Sequence, residues 1–582
     1  MSSIHFYGKV RMSKKTLIVI MVSVLLTACA SPTATVVPNT ITPSVSASPT
    51  PSRTASPTAV PATATPQPTP APKPIRAWID PTTPPTLRAL VTDALKAISP
   101  GGKVIAAPAP EQADLRVGPG LTSPLARWVY AVAAPFPTLA DEVSWADVRR
   151  FWAGEAGALA EVSGDGKTPT LFVSVETSAV LQKLLGTPNA QAPVVVTTTE
   201  ELVDAAWAAR PHAWAIVPFG SLVPRLKVLR VDGASVLDKG LAVEKYPLAM
   251  TIGAQGQGAE ALAALLDRGG QLVTNRDPEQ MTVLIMTGVT ALVRATADEM
   301  EHHGILYPGD KISATLRSAD LLHISNEIPF ASNCPRPDRN LQALVFCSDP
   351  RYMELLRSVG ADLIELTGNH FQDYGSQATL DTLEIYRKEG WPYYGGGKDL
   401  ADARKALPLE KNGNHLAFIG CNPVGPEYAW ATTEDPGAAP CDYDYMHGEI
   451  ARLKAQGNLP VATFQYWEEY HYAPTDQQRA DFQGMVDAGA VIVSGSQAHH
   501  PQAIEFYKGS FIHYGLGNLF FDQMWSLGTR QEFVDRHVIY KGQHISTELL
   551  TFMLENWSQP RPMAAQERRE LLSSVFQASE PW

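Results

Sequence analysis

The stretch ADLIELTGNHFQDYG, Ala361 to Gly375, runs an apolar segment straight into a cluster of Asn369, His370 and Asp373. A short apolar run that stops at a glycine turn reads as a buried strand. In open α/β sheets, ligands bind beyond the carboxyl ends of the strands. The same pattern recurs along the chain: VLIM before TGVTALVR, LLHI before SNEIP, HLAFIG before CNPVG, PVATF before QYWEEYH, AVIV before SGSQAHHPQ, and SFIHY before GLGN. Helical segments such as DPRYMELLRSVG and GSQATLDTLEIYRKEG lie between them. Strand ends carrying Glu, Asn, His, Gln and Gly predict one composite site in a region spanning 278–553.

Upstream, residues 75–260 form a first α/β region. RWVYAVAAPFP reads as a buried strand, SWADVRRFWAGEAG as a helix stopped by glycine, and TTTEELVDAAWAAR as a capped helix. Residues 30–74, almost entirely Pro, Thr, Ala, Ser and Val, cannot bury a core and are expected to be a disordered tether. Before them, Lys14 and Lys15 precede TLIVIMVSVLLTA, a basic-then-apolar pattern that marks 1–29 as a secretory signal too short to span a bilayer comfortably. Downstream, 554–582 reads as a tail with a proline-led, partly exposed helix.

The chain has 582 residues, 45% of them apolar, and a net charge of −12. That balance excludes an electrostatic attraction to nucleic acid or to anionic membrane. Among five cysteines, Cys29 stands apart at the end of the signal. The other four allow three pairings, of which the local ones, Cys334 with Cys347 and Cys421 with Cys441, are favoured.

Three resemblances follow from these residues. Leu26-Thr27-Ala28-Cys29 resembles a bacterial lipobox, which implies lipidation at Cys29 and an extracytoplasmic protein held at the membrane by its lipid alone. Val132 to Phe136, Trp152-Ala153-Gly154 and Tyr246-Pro247-Leu248 resemble a type 2 periplasmic solute-binding domain of the phosphate-binding kind. The region 278–553 is similar to the CapA family, linked to capsule and poly-γ-glutamate synthesis. Its carriers are Thr367-Gly368-Asn369-His370 with Asp373-Tyr374-Gly375, Ser325-Asn326-Glu327-Ile328-Pro329, the glycine turn Tyr393 to Gly397, Asp487-Ala488-Gly489-Ala490 and Tyr514-Gly515-Leu516-Gly517-Asn518. The resemblance implies a calcineurin-like metallophosphoesterase fold, an α/β/β/α sandwich, following the solute-binding-like α/β domain.

The departures bear on chemistry. Against the family pattern, Val289 stands at an expected metal-binding aspartate, and Gln465 and Gln497 at expected histidines. A two-metal hydrolytic site needs carboxylates and imidazoles around its ions. Valine offers no lone pair, and a glutamine oxygen suits only hard ions. The resemblance leaves Glu327, Asn369 and His499 as metal ligands, Gln465 and Gln497 as weak ones, and His370 as general acid. The ion would be manganese, zinc, magnesium or calcium, or there would be none. Arg294, Tyr466, Glu469, Tyr470 and Asn518 are the expected substrate contacts. The expected partner is a cell-surface polymer or a small anionic substrate. Two functions follow: hydrolysis at a degenerate metallophosphatase-type site, or recognition without turnover of cell-wall glycan or anionic polymer, with solute capture by the first domain as a third.

Overall fold

The computed structural model describes residues 73–581, all within one compact unit. The signal segment, Cys29 and the tether as far as residue 72 lie outside the described residues. Among the described residues no helix is long and apolar enough to cross a membrane.

The first region is built on a ten-stranded sheet. Its spine is the long strand Ser123–Pro135, which pairs with Ala249–Gly256 on one side and Ala213–Pro218 on the other. Val129 to Ala134 are all but inaccessible to solvent, as expected of a strand covered on both faces. The helix Trp145–Trp152 starts where the Ser144 side chain accepts the Asp147 N–H, and it buries Val148, Phe151 and Trp152.

The second region is built on two larger sheets. In the first, Tyr393–Tyr394, Leu363–Glu365, Leu321–Asn326 and Met281–Thr287 run parallel, and the antiparallel strands Gln531–Tyr540, Gln543–Glu555 and Gln559–Pro562 complete it. In the second, Asn414–Cys421, Leu459–Gln465, Ile492–Ser496 and Ser510–His513 are parallel, with antiparallel strands Leu407–Lys411 and Ile504–Tyr507 at its edges.

Three apolar layers show how these sheets stack. Leu284, Met286 and Leu363 of one sheet meet Phe418, Val461 and Ile492 of the other. On the far face of the first sheet, Ile285, Ile324 and Ile364 pack against Met353, Leu356 and Leu383 of the helices Met353–Val359 and Gly375–Glu389. On the far face of the second, Ile419, Ala462 and Val493 pack against Ile450, Phe482 and Met485 of Tyr443–Ala455 and Asp476–Ala488. This is the α/β/β/α sandwich expected from the sequence, joined to a second α/β region.

The stretch 554–582, read from the sequence as a tail with a partly exposed helix, packs onto the sandwich through residues 559–578. Gln559–Pro562 adds a strand to the first sheet, and the helix Ala565–Ala578 buries Leu571, Leu572, Val575 and Phe576 in the layer between the sheets. Its Arg568 forms a two-pronged ion pair with Asp141 of the first region, with both contacts at 2.8 Å.

Candidate functional site

All seven apolar runs form strands, and their carboxyl ends converge in the second region. Close packing of the loops makes this convergence. A Cβ on Gly368 would stand 2.3 Å from the Glu327 carbonyl oxygen, so only glycine lets the Asn369–His370 loop lie against the end of the strand Leu321–Asn326. Gln497 and His499 hold left-handed backbone, at φ 76° and 51°. Non-glycine residues adopt that conformation uncommonly.

Glu327, Asn369, Gln465 and Gln497 meet in one cluster. The Gln465 amide nitrogen donates to Asn369 Oδ1 at 3.2 Å, to Glu327 Oε1 at 3.3 Å, and to Gln497 Oε1. The Gln465 oxygen accepts from Ser496 Oγ at 2.7 Å. Glu327 is only 2% exposed and its Oε2 has no partner. Burial pushes its carboxyl up to about 7; Glu468 and Asp373 add to the rise, and His370 and Arg294 oppose it.

His370 lies beside this cluster, its Nδ1 2.6 Å from Asp373 Oδ2. Burial works against charging the ring, yet the Asp373 hydrogen bond and the Glu327 and Asp373 charges outweigh it and lift its pKa. Asp373 also accepts the Phe346 N–H at 2.8 Å and the Tyr428 hydroxyl at 3.0 Å. With Nδ1 committed, Nε2 is the ring atom left for a ligand. His499 Nδ1 lies 2.7 Å from Asn518 Oδ1, and burial pulls this imidazole down to about 4, so it is neutral.

Of the other expected contacts, Arg294 stays near enough to Glu327, His370 and His499 to act on their charge, while Tyr466 and Glu469 turn to other partners. Arg294 is ion-paired with Asp522 and flanked by the rings of Phe346 and Phe521, 5.0 and 4.9 Å from its guanidinium carbon. Tyr466 does not face the cleft: it is buried, with its hydroxyl on Asp481 of the helix Asp476–Ala488 at 2.8 Å. Glu469 pairs with His471 at 2.8 Å. Tyr470 stands on the rim, edge to face with Trp525 at 4.5 Å. Cys334 bonds Cys347 and Cys421 bonds Cys441. His500 turns away, its Nδ1 on the Pro501 carbonyl. Phe346, Tyr428, Asp522 and Trp525 escaped the sequence reading, because loops distant in the chain bring them to the site.

The metal centre that the fold type implies does not fit these residues. Among the described residues no group of three or more His, Cys, Asp or Glu side chains is gathered as an ion requires. Val289 is fully buried in an apolar cluster with Ala291, Ile328 and Phe521. The lone pairs of Glu327, Asn369 and Gln497 are turned on the N–H group of Gln465, the placement a cation would otherwise hold.

Residues 283–523 match the family model described as bacterial capsule synthesis protein PGA_cap. The chain is 28% identical over 281 residues to the capsule biosynthesis protein CapA of Bacillus anthracis, covering 47% of this chain and 67% of that one. It is 28% identical over 234 residues to the PGA biosynthesis protein CapA of Bacillus subtilis, covering 40% and 61%. The chain thus spans about two thirds of the length of these curated relatives. The CapA-family resemblance carried by the motifs is shown for this region. Among solved structures, a phosphate transport receptor from Vibrio cholerae aligns at 12% identity and TM-score 0.28, over 33% of this chain and 94% of its own. A 5′-nucleotidase precursor from Thermus thermophilus aligns at 13% identity and TM-score 0.30, over 50% and 58%.

Proposed function

We propose that this chain serves the synthesis or handling of a capsule-type cell-surface polymer, and that its strand-end cleft recognises the polymer instead of hydrolysing it at a two-metal centre. The capsule and poly-γ-glutamate roles in the relatives' names support the first part. The second part rests on one observation: the Gln465 amide donates into Glu327, Asn369 and Gln497, so an N–H group stands where a cation would be held. An amide both donates and accepts, which suits a hydroxyl-rich or amide-rich chain. The lipobox at Cys29 supports a lipid-anchored, extracytoplasmic place of action, and two disulfides accord with an oxidising compartment.

The test is metal analysis of the purified full chain, with polymer binding and phosphodiester turnover measured with and without chelator. The reading expects no stoichiometric metal and binding that persists in chelator but weakens in Gln465→Ala. Stoichiometric metal with chelator-sensitive turnover, lost in His370→Ala, would overturn it.

A further inference from the structure

Five aromatic residues among those described are 40–61% exposed: Tyr428, Trp467, Tyr470, Trp525 and Trp557. Four of them, all but Trp557, stand on the loops that follow the strands Asn414–Cys421, Leu459–Gln465 and Asn518–Phe520, whose ends build the cleft. Tyr428 reaches the carboxylate that holds His370, Tyr470 and Trp525 meet edge to face, and Trp525 lies just beyond Asp522, the partner of Arg294. Rings left in water do nothing for the core. Clustered around a cleft, they mark a binding surface.

Charge narrows the occupant. The loops 422–436, 466–475 and 521–526 carry Glu427, Glu434, Asp435, Glu468 and Glu469, and no lysine or arginine, while Asp522 is offset by its ion pair with Arg294. A polyanion would meet like charge on the same loops that present the rings. The cleft floor is rich in acceptors as well. The Gln465 amide has two hydrogens for three acceptors, and Glu327 Oε2 has no donor. Such a floor is completed by hydroxyl hydrogens.

Taking the cleft as a polymer-recognition site, we infer that its ligand is a neutral glycan segment. Tyr428 and the Tyr470–Trp525 pair cover the apolar faces of its sugar rings, and its hydroxyls donate to the Glu327–Gln465 cluster. A polyglutamate backbone has neither ring faces nor the absence of charge that these loops select.

The experiment places the full-length protein on an array of neutral oligosaccharides with poly-γ-glutamate oligomers spotted beside them, followed by calorimetry on the strongest binder. Binding to neutral saccharides is expected, insensitive to salt and weakened about tenfold or more in Trp525→Ala and in Tyr428→Ala. Trp557→Ala, outside the cleft loops, should bind as the parent does. These side chains are exposed, so the variants should fold, which circular dichroism checks. Salt-sensitive binding of poly-γ-glutamate alone, unchanged in Trp525→Ala, would overturn the glycan assignment and leave polymer recognition standing. Binding to neither polymer would overturn both.

Discussion

The side-chain nitrogen of Gln465 lies 3.2 Å from Asn369 Oδ1 and donates to it, across 96 residues of chain. A metal-ligating imidazole in place of that amide would turn a lone pair, not an N–H, into the space between Asn369 and Glu327. The site therefore differs from a metal centre by the sign of one group's polarity as well as by missing ligands.

Reversing that sign should create a metal site. Val289→Asp, Gln465→His and Gln497→His together are expected to retain manganese or zinc through dialysis, as read by elemental analysis, where the parent retains none. Val289→Asp alone should destabilise the fold by roughly 3–5 kcal/mol, because its carboxylate would be buried without a partner in an apolar cluster. A triple variant with no more metal than the parent would show that these positions do not face one another as ligands.

The disulfide Cys334–Cys347 should control the wall over His370. Phe346 precedes Cys347 directly, and its ring centre is 4.5 Å from that of His370. Replacing both cysteines by serine is expected to cost about 2–4 kcal/mol in urea unfolding. It should also shift the His370 ring resonances, which a loss of stability alone would leave in place. Unchanged resonances would separate the disulfide from the site.

Acid should weaken the fold through His544, a partly buried imidazole packed beside Phe511 and His537. Burial pulls His544 down to about 4, while backbone acceptors at Ser546 and Val491 oppose the shift. Its folded value lies below the unfolded one of about 6.5, so the unfolded chain binds the proton first. Stability is then full above about 6.5 and falls as pH drops towards 4, by roughly 3 kcal/mol for this one group. His544→Phe should flatten the fall between pH 6.5 and 4 in unfolding midpoints. An equal slope in the variant would assign the acid sensitivity elsewhere.

Gly368→Ala should damage the site without touching a polar group. The added Cβ meets backbone at Glu327, which cannot swing aside. A loss of about 1–3 kcal/mol is expected from such overpacking, together with weaker polymer binding as Asn369 and His370 move off the strand end. Parent-like melting and binding would show that the loop has slack.

The strands and their polar ends were legible because apolar runs and glycine stops are local signals, and the two disulfide pairings because each closes a short loop. The substitutions at Val289, Gln465 and Gln497 were legible only against a family pattern. What they became was not: the Gln465 bridge joins residues from four strand ends. The reading of Tyr466 as a ligand contact missed a local rule. Side chains alternate along a strand, so a site-facing Gln465 turns Tyr466 to the helix side. Phe346, Tyr428 and Trp525 sit on loops with no periodicity to read. The burial of the final helix depends on partners such as Phe136, hundreds of residues earlier.

That final helix has a consequence in time. Leu572 and Phe576 fill the seam shared by both sheets, so a stretch synthesised after every strand of both sheets is also part of their core. Contacts this distant in sequence close late. Until residues 565–578 have emerged, the sandwich holds an open apolar flank, the kind of surface on which nascent chains associate wrongly. Whatever meets this chain during its synthesis meets it before its seam has shut.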